Sequence, residues 1–414
     1  MELLTPQPAG AHGRRWTARA SSVAGIEAEL ARIWSSVADE MGSSGHSRRE
    51  LAEARGSPQL TGRLDESRDV RVRTRTSVLT LVVVAPRPET TERALDAINL
   101  LASRHPSRAI VVAPGDPDGP STLDAQIFAQ CHLAERGTSE TCTEQILLRT
   151  GGEIDAHLRN VVAPLLIHDL PVVIWWPDDP PIGSRQFSDL VELCDRLLVD
   201  SGAFRDDGTR RLSALAAVVS GPTPIVYDIG WMRLTLWREL LAGLFEHPLL
   251  TPELEQVQGL RIDVARPGEL FRLTKAACFT GWLADRLDWE LVRTAERRRG
   301  SESLFATYRQ GRHDVRVELR PVSTDGDRAL RSAGSLVRVE LTLGRRGHDL
   351  RARVARQADH LLATADWDGA QVARRAGRLE PFGEAPFLAE ALHSGGKDRI
   401  FEGALARATR LLGG

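Results

Sequence analysis

Two indoles and two carboxylates stand together in Trp175-Trp176-Pro177-Asp178-Asp179, directly after a run of apolar residues. Rings beside carboxylates can stack on a ligand, hydrogen-bond it, or anchor a partner protein. If the run ending at Trp176 is a strand, the four groups lie at its carboxyl end, where open α/β sheets keep their binding crevices. The plainer reading puts one indole in the core and lays the other over a loop. A second cluster, Trp231, Arg233, Trp237 and Arg238, falls between Asp228 and Phe245. There Trp231, Leu234, Trp237, Leu241, Leu244 and Phe245 recur three or four apart, a stripe that reads first as a core-facing helix and second as a contact surface. Asp228 is placed to cap that helix. His168-Asp169 with Ser201 is the one nucleophile set to be imagined, and Ser201 reads better as part of an ordinary strand-to-helix turn.

The remaining chemistry is sparse. No GxGxxG follows a predicted strand, no GxSxG marks a nucleophile elbow, and no HExxH or His/Cys pairing suggests a metal. Among 54 basic residues only Lys275 and Lys397 are lysines, so a Schiff base has two candidates; both are expected to be solvated, Lys275 on an amphipathic helix and Lys397 in a loop. Arg68, Arg71, Arg73 and Arg75 lead into a strand and read as a solvated edge, or else as a grip for phosphate or an acidic partner. Arg297-Arg298-Arg299-Gly300 belongs in a loop. Cys131 and Cys142 flank Glu135 to Glu140; as cross-strand neighbours in a hairpin they would form a redox pair, and otherwise they are two small buried residues.

The elements that must position these groups follow from periodicity. Residues 1 to 20 read as a loose polar arm, Ile26 to Trp34 as helix, and 41 to 68 as a flexible linker. From Arg71 onward strands alternate with helices. Strands are expected at Val78 to Ala85, Ala109 to Ala113, Gln126 to Leu133, Glu144 to Leu148, Val172 to Trp176, Arg196 to Asp200 and Pro224 to Tyr227. Ile154 to Leu166 should be one helix kinked at Pro164. Beyond Pro252 the texture changes. A strand at Leu260 to Val264 and a helix at Glu269 to Asp285 precede strands in which Val315, Val317 and Leu319, then Val337, Val339, Leu341 and Leu343, alternate with polar residues. Helices at 384 to 393 and 397 to 412 complete the pattern. The fold class is therefore α/β, a mainly parallel sheet flanked by helices, followed by an α+β domain with an antiparallel sheet. The expected divisions are 1 to 70, 71 to 250 and 251 to 414.

A chain of 414 residues, 42% apolar, can bury more than one core without disulfide or metal staples. A net charge of -2 argues against nucleic acid and against a polybasic membrane anchor. With no apolar stretch of signal-peptide or membrane-spanning length and no CxxC, the reading is a cytoplasmic protein. No cofactor and no metal is expected.

Taken together, DLPVVIWWP at 169 to 177, DRLLVDSGAF at 195 to 204, WMRLTLWRELLAGLF at 231 to 245 and GWLADRLDW at 281 to 289 resemble the glucose-6-phosphate dehydrogenase assembly protein family, OpcA. The resemblance covers residues 75 to 290 best. It implies a non-catalytic partner that assembles or allosterically activates glucose-6-phosphate dehydrogenase in the oxidative pentose phosphate pathway, a source of NADPH. Residue type then nominates Trp175, Trp176, Asp178, Asp179, Trp231, Arg233, Trp237 and Arg238 as partner-binding candidates. The competing reading is an enzyme or metabolite sensor acting on a sugar phosphate at the carboxyl end of the α/β sheet.

Overall fold

The apolar runs between turns become buried strands. The computed structural model describes residues 15–44, 72–75, 77–102, 104–133, 139–205, 208–324, 333–344, 348–379 and 383–414. Two units divide the chain: Met1–Trp175 with Asp189–Asp195 and Leu388–Leu392, and Trp176–Ser188 with Arg196–Phe387 and His393–Gly414.

The first unit holds β1 (Arg15–Ala20), β2 (Val72–Arg75), β3 (Leu79–Val84), β4 (Ser107–Pro114), β5 (Thr122–Leu133), β6 (Ser139–Gly151) and β7 (Val172–Trp176). They are ordered β1-β5-β6-β4-β3-β7, with β2 also on β6. The pairs β6·β4, β4·β3, β3·β7 and β2·β6 are parallel. Every residue of β3 and of β7 is buried, which continuous apolar runs require when both faces are covered. Helix α1 (Val23–Ser44) buries Ile26, Leu30 and Ile33, and α2 (Pro88–Leu101) buries Ala94, Ala97, Ile98 and Leu101. Proline opens α2, where its missing N–H has no helical acceptor to lose.

Three expectations for this unit need correction or limiting. The N-terminal arm is not loose throughout: Arg15–Ala20 is a strand, antiparallel to β5 with Arg15 opposite Gln130. It is short, and alternates only half-buried with exposed positions, so periodicity barely marks it. The single kinked helix at 154 to 166 is three pieces, Glu153–Ala156, α3 (Leu158–Val162) and a 3-10 turn at Ala163–Leu165 that contains Pro164; His157 at φ -126 breaks the first from the second. Most of the expected linker, and Arg68 and Arg71, lie outside the described residues.

The second unit carries the parallel pair β8 (Arg196–Val199) and β9 (Ile225–Asp228), joined through α4 (Thr209–Ser220). An eight-stranded sheet follows from β10 (Val257–Arg266), β11 (Glu290–Arg297), β12 (Leu304–Gln310), β13 (His313–Ser323), β14 (Leu336–Leu343), β15 (Leu350–Gln357), β16 (His360–Trp367) and β17 (Ala370–Arg378). Its order is β11-β12-β13-β10-β14-β15-β16-β17, antiparallel except at β10·β13. Val315, Val317 and Leu319 point inward while Arg316 is exposed, the alternation of a sheet with one wet face. Val337 departs from its expected inward place. The ladder to β10 shifts register between Asp263 and Val264, so Leu336 is buried and Val337 only half-buried, as a bulge dictates.

Helices α5 (Thr235–Leu244), α6 (Thr274–Arg286) and α7 (Arg399–Leu411) complete the unit. Between α6 and α7 the backbones touch: a Cβ on Gly281 would stand 2.1 Å from the Ala404 carbonyl oxygen, so only glycine fits. No helix among the described residues is long and apolar enough to cross a membrane.

Candidate functional site

Two neighbouring parallel strands of the second unit end in the same device. Asp200 follows β8 in Asp200-Ser201-Gly202, and Asp228 ends β9 in Asp228-Ile229-Gly230. Each carboxylate accepts a hydrogen bond from the glycine amide two residues on, at 2.9 Å in both cases, an Asx turn that carries the chain off the strand. Asp228 also accepts from the Trp231 amide at 3.2 Å, capping the short helix Ile229–Met232 as its sequence position suggests. It further accepts from the Ser201 amide at 2.8 Å and the Ser201 hydroxyl at 2.6 Å. The two strand ends are thus latched through one serine.

Cations surround this pair. Arg233 donates from Nη1 to Asp200 at 2.5 Å. Arg272 donates to the Gly202 carbonyl at 3.1 Å. Lys275, in the first turn of α6, is 7% exposed. A methyl group on Gly202 would stand 2.8 Å from Lys275 Cε and 3.1 Å from its Nζ, so the absence of a side chain at 202 is what lets the lysine lie there. The expectation of a solvated Lys275 is therefore wrong. Positions Thr274 to Gly281 of α6 are all buried, which leaves the lysine no wet side of the helix to reach.

Burial governs the protonation of both central groups. It pulls the Lys275 ammonium down to about 8, with the like charge of Arg233 adding to the effect. It pushes the Asp228 carboxyl up to about 6, against the hydrogen bonds from Ser201, which favour the ionised form. The carboxylates are occupied by amides, a hydroxyl and a guanidinium, and so serve to position the turns. The Ser201 hydroxyl donates to Asp228 and not to a histidine, so it serves the latch between the two strand ends. No group of three or more His, Cys, Asp or Glu suited to a metal occurs among the described residues.

The residues nominated by type fall as follows. Trp175, Trp176, Trp231 and Trp237 are all buried. Trp176 packs on Phe187 with ring centroids 5.4 Å apart. Trp231 donates from Nε1 to Asp398 at 2.8 Å, packs on Phe401 at 5.7 Å and carries the Arg238 guanidinium 3.6 Å over its ring. The four indoles thus fill the interior, and the stripe of Trp231 and Trp237 faces inward. Asp178 is buried, and Asp179 pairs with Arg211 at 3.3 Å and Arg205 at 3.8 Å. The structure brings Arg233 to Asp200, and Arg238 to Trp231. Sequence reasoning missed Asp200, Arg272 and Lys275 as a group. The signal was present in the doubled Asp-x-Gly directly after a strand.

Cys131 and Cys142 are register partners across β5 and β6, and Cys142 is disulfide-bonded. Cys194 and Cys278 are free and buried; burial raises the Cys194 thiol to about 12.

Comparison with known proteins gives two family matches, the glucose-6-phosphate dehydrogenase subunit N-terminal domain over residues 98–217 and its C-terminal domain over 224–405. A protein of Nostoc punctiforme named OxPP cycle protein OpcA is 26% identical over 315 residues, 74% of this chain and 65% of its own. One of the same name from Synechococcus elongatus is 27% identical over 315 residues, 74% of this chain and 68% of its own. The chain spans about two thirds of the length of these relatives. Among solved structures, a dehydrogenase (MviM) from Clostridium difficile, 7% identical, matches over 81% of this chain and 97% of its own with a TM-score of 0.41. The super-repressor mutant of Gal80p from Saccharomyces cerevisiae, 9% identical, matches over 81% and 95% with a TM-score of 0.41. Likenesses so distant carry no chemistry across.

Proposed function

We propose that this chain, which belongs to the OpcA family of glucose-6-phosphate dehydrogenase subunits, binds a glucose-6-phosphate dehydrogenase and holds it in an assembled, more active state without catalysing a reaction itself. The observation that carries this is the pair of subunit-domain matches, over residues 98–217 and 224–405. The geometry around Asp200 and Asp228 agrees with it, since both carboxylates accept from the amides that turn the chain off the strands and the Ser201 hydroxyl bridges the two strand ends.

With the tryptophans inside the fold, docking falls to another surface. The wet face of the second unit's sheet is already ordered by ion pairs: Arg261–Glu318 at 2.8 Å, Arg320–Asp263 at 2.7 Å, and Arg353 to Glu340 at 3.2 Å and to Asp366 at 3.6 Å. Arg316 and Arg338 stand exposed on the same face. Such a charged, preordered surface steers an encounter and fixes register without a large apolar patch. Activation requires only that the chain prefer one state of the dehydrogenase; a preference of about 1 to 3 kcal/mol changes that state's population or affinity roughly 5- to 150-fold.

The test mixes the purified chain with the dehydrogenase of its own organism. Co-elution and a change in activity or in substrate half-saturation are expected, with R316E/R338E binding at least about tenfold more weakly, as expected for charges at a docking face. No co-elution together with unchanged kinetics overturns the proposal.

A further inference from the structure

The start of α6 gathers donors that lack acceptors. Lys275 makes no hydrogen bond and no ion pair with any described residue. Thr274 Oγ1 and Arg272 Nε are buried, also without a hydrogen-bond partner among the described residues. No side chain caps the first-turn amides of α6, whose N-cap position is Leu273. Side chains in a helix lean toward its N-terminus, so those of Thr274 and Lys275 run back over this same end. Arg272 and Lys275 converge on Gly202, the one through its carbonyl and the other over its Cα.

The carboxylates nearby do not meet this need. Asp228 has four donors and Asp200 has the Gly202 amide and Arg233, while Lys275 has neither of them as an ion-pair partner. A buried ammonium or hydroxyl left without an acceptor is costly, and native proteins satisfy nearly all such groups with protein, water or ligand.

We propose that the N-terminus of α6, with Lys275, Thr274 and Arg272, is a binding site for the phosphate group of a small metabolite. A tetrahedral anion offers several acceptor oxygens to an ammonium, a guanidinium, a hydroxyl and free helix amides at once, and the helix dipole favours its charge. The site lies at the carboxyl ends of β8 and β9, where open α/β sheets take their ligands. Asp200 and Asp228 keep it from being uniformly cationic, so recognition rests on directed hydrogen bonds more than on net charge. Burial and then Arg233 pull the Lys275 ammonium down, and a bound anion would oppose both effects.

The experiment uses the full chain alone, so its outcome is independent of dehydrogenase binding. With lysine labelled at 13Cε the chain gives two signals, Lys275 and Lys397. Titration with inorganic phosphate, a hexose phosphate and a nucleotide bearing a terminal phosphate is expected to move the Lys275 signal saturably and to raise its pH midpoint by about one pH unit, since an opposite charge favours the ammonium. Stronger binding of an ester than of inorganic phosphate assigns the site to a metabolite; equal binding assigns it to free phosphate. Calorimetry should show K275M and T274V each at least tenfold weaker. A Lys275 signal unmoved by millimolar concentrations of all three probes overturns the proposal, whether or not the variants fold.

Discussion

Replacing Lys275 by methionine tests the central physical claim without any ligand. The ordinary ammonium titrates at 10.5, and in the folded chain burial brings Lys275 to about 8. Its folded value lies below its unfolded one, so between the two the unfolded chain holds more protons and stability rises with pH. At pH 7 the charged form costs the fold about 3 kcal/mol, and at pH 9 about 2 kcal/mol, from about 1.36 kcal/mol per pH unit of separation. K275M keeps most of the apolar stem and removes the charge. It should therefore be more stable than the parent at pH 7, by up to about 3 kcal/mol less the packing the methionine fails to reproduce, and its advantage should shrink by about 1.4 kcal/mol at pH 9. The background is favourable, because Lys397 is the only other lysine. Asp228, raised to about 6, acts in a separate window: its contribution to stability falls as pH rises from about 4 to 6. Cys194 and Cys278, both raised by burial, weaken parent and variant alike above pH 9. Urea unfolding of both proteins in phosphate-free buffer at pH 7 and pH 9 gives the two differences. An advantage for K275M that does not change with pH would refute the reasoning, since it would mean that Lys275 stays charged in the fold and has found an acceptor.

Three further outcomes follow from the packing. G281A should cost at least about 3 kcal/mol by denaturant unfolding, since its new methyl group would meet the Ala404 carbonyl and the two helices would have to part; a loss under about 1 kcal/mol would show that the contact yields. R108M should cost about 3 to 5 kcal/mol, because it removes the guanidinium that donates to the wholly buried Glu144 carboxylate at 2.7 Å; near-parental stability would sink that account. Thiol titration of the chain denatured without reductant should find two reactive groups, Cys194 and Cys278, and four after reduction; four from the outset would contradict the disulfide at Cys142.

The buried strands were legible because a run such as Val172 to Trp176, five β-branched and aromatic residues between Pro171 and Pro177, is too short for a helix and suits a doubly covered strand. The antiparallel strands were legible in part. Val315 to Leu319 alternates cleanly, whereas β11 and β17 carry hardly a buried residue and left no apolar signal. The candidate site was hidden for a different reason. Tryptophan and arginine drew attention as types, yet the indoles pack inward, while Lys275 looked like the wet side of an amphipathic helix. The small residues Ala276, Ala277 and Gly281 were the hint that α6 is packed on more than one side, and a helix so enclosed buries its charges with the rest. Pairings such as Arg233 with Asp200 depend on two segments meeting in space and have no local signature.

The first unit draws in Leu388–Leu392, more than two hundred residues after its strand β7. Leu388 and Ala391 are buried. During synthesis, then, the early part of the polypeptide emerges long before its last contributing segment exists, and must wait in an incomplete condition or be shielded by a chaperone. A fragment cut near residue 250 would share that defect for good, so expression trials that divide the gene at that expected boundary should yield insoluble material where the whole chain does not.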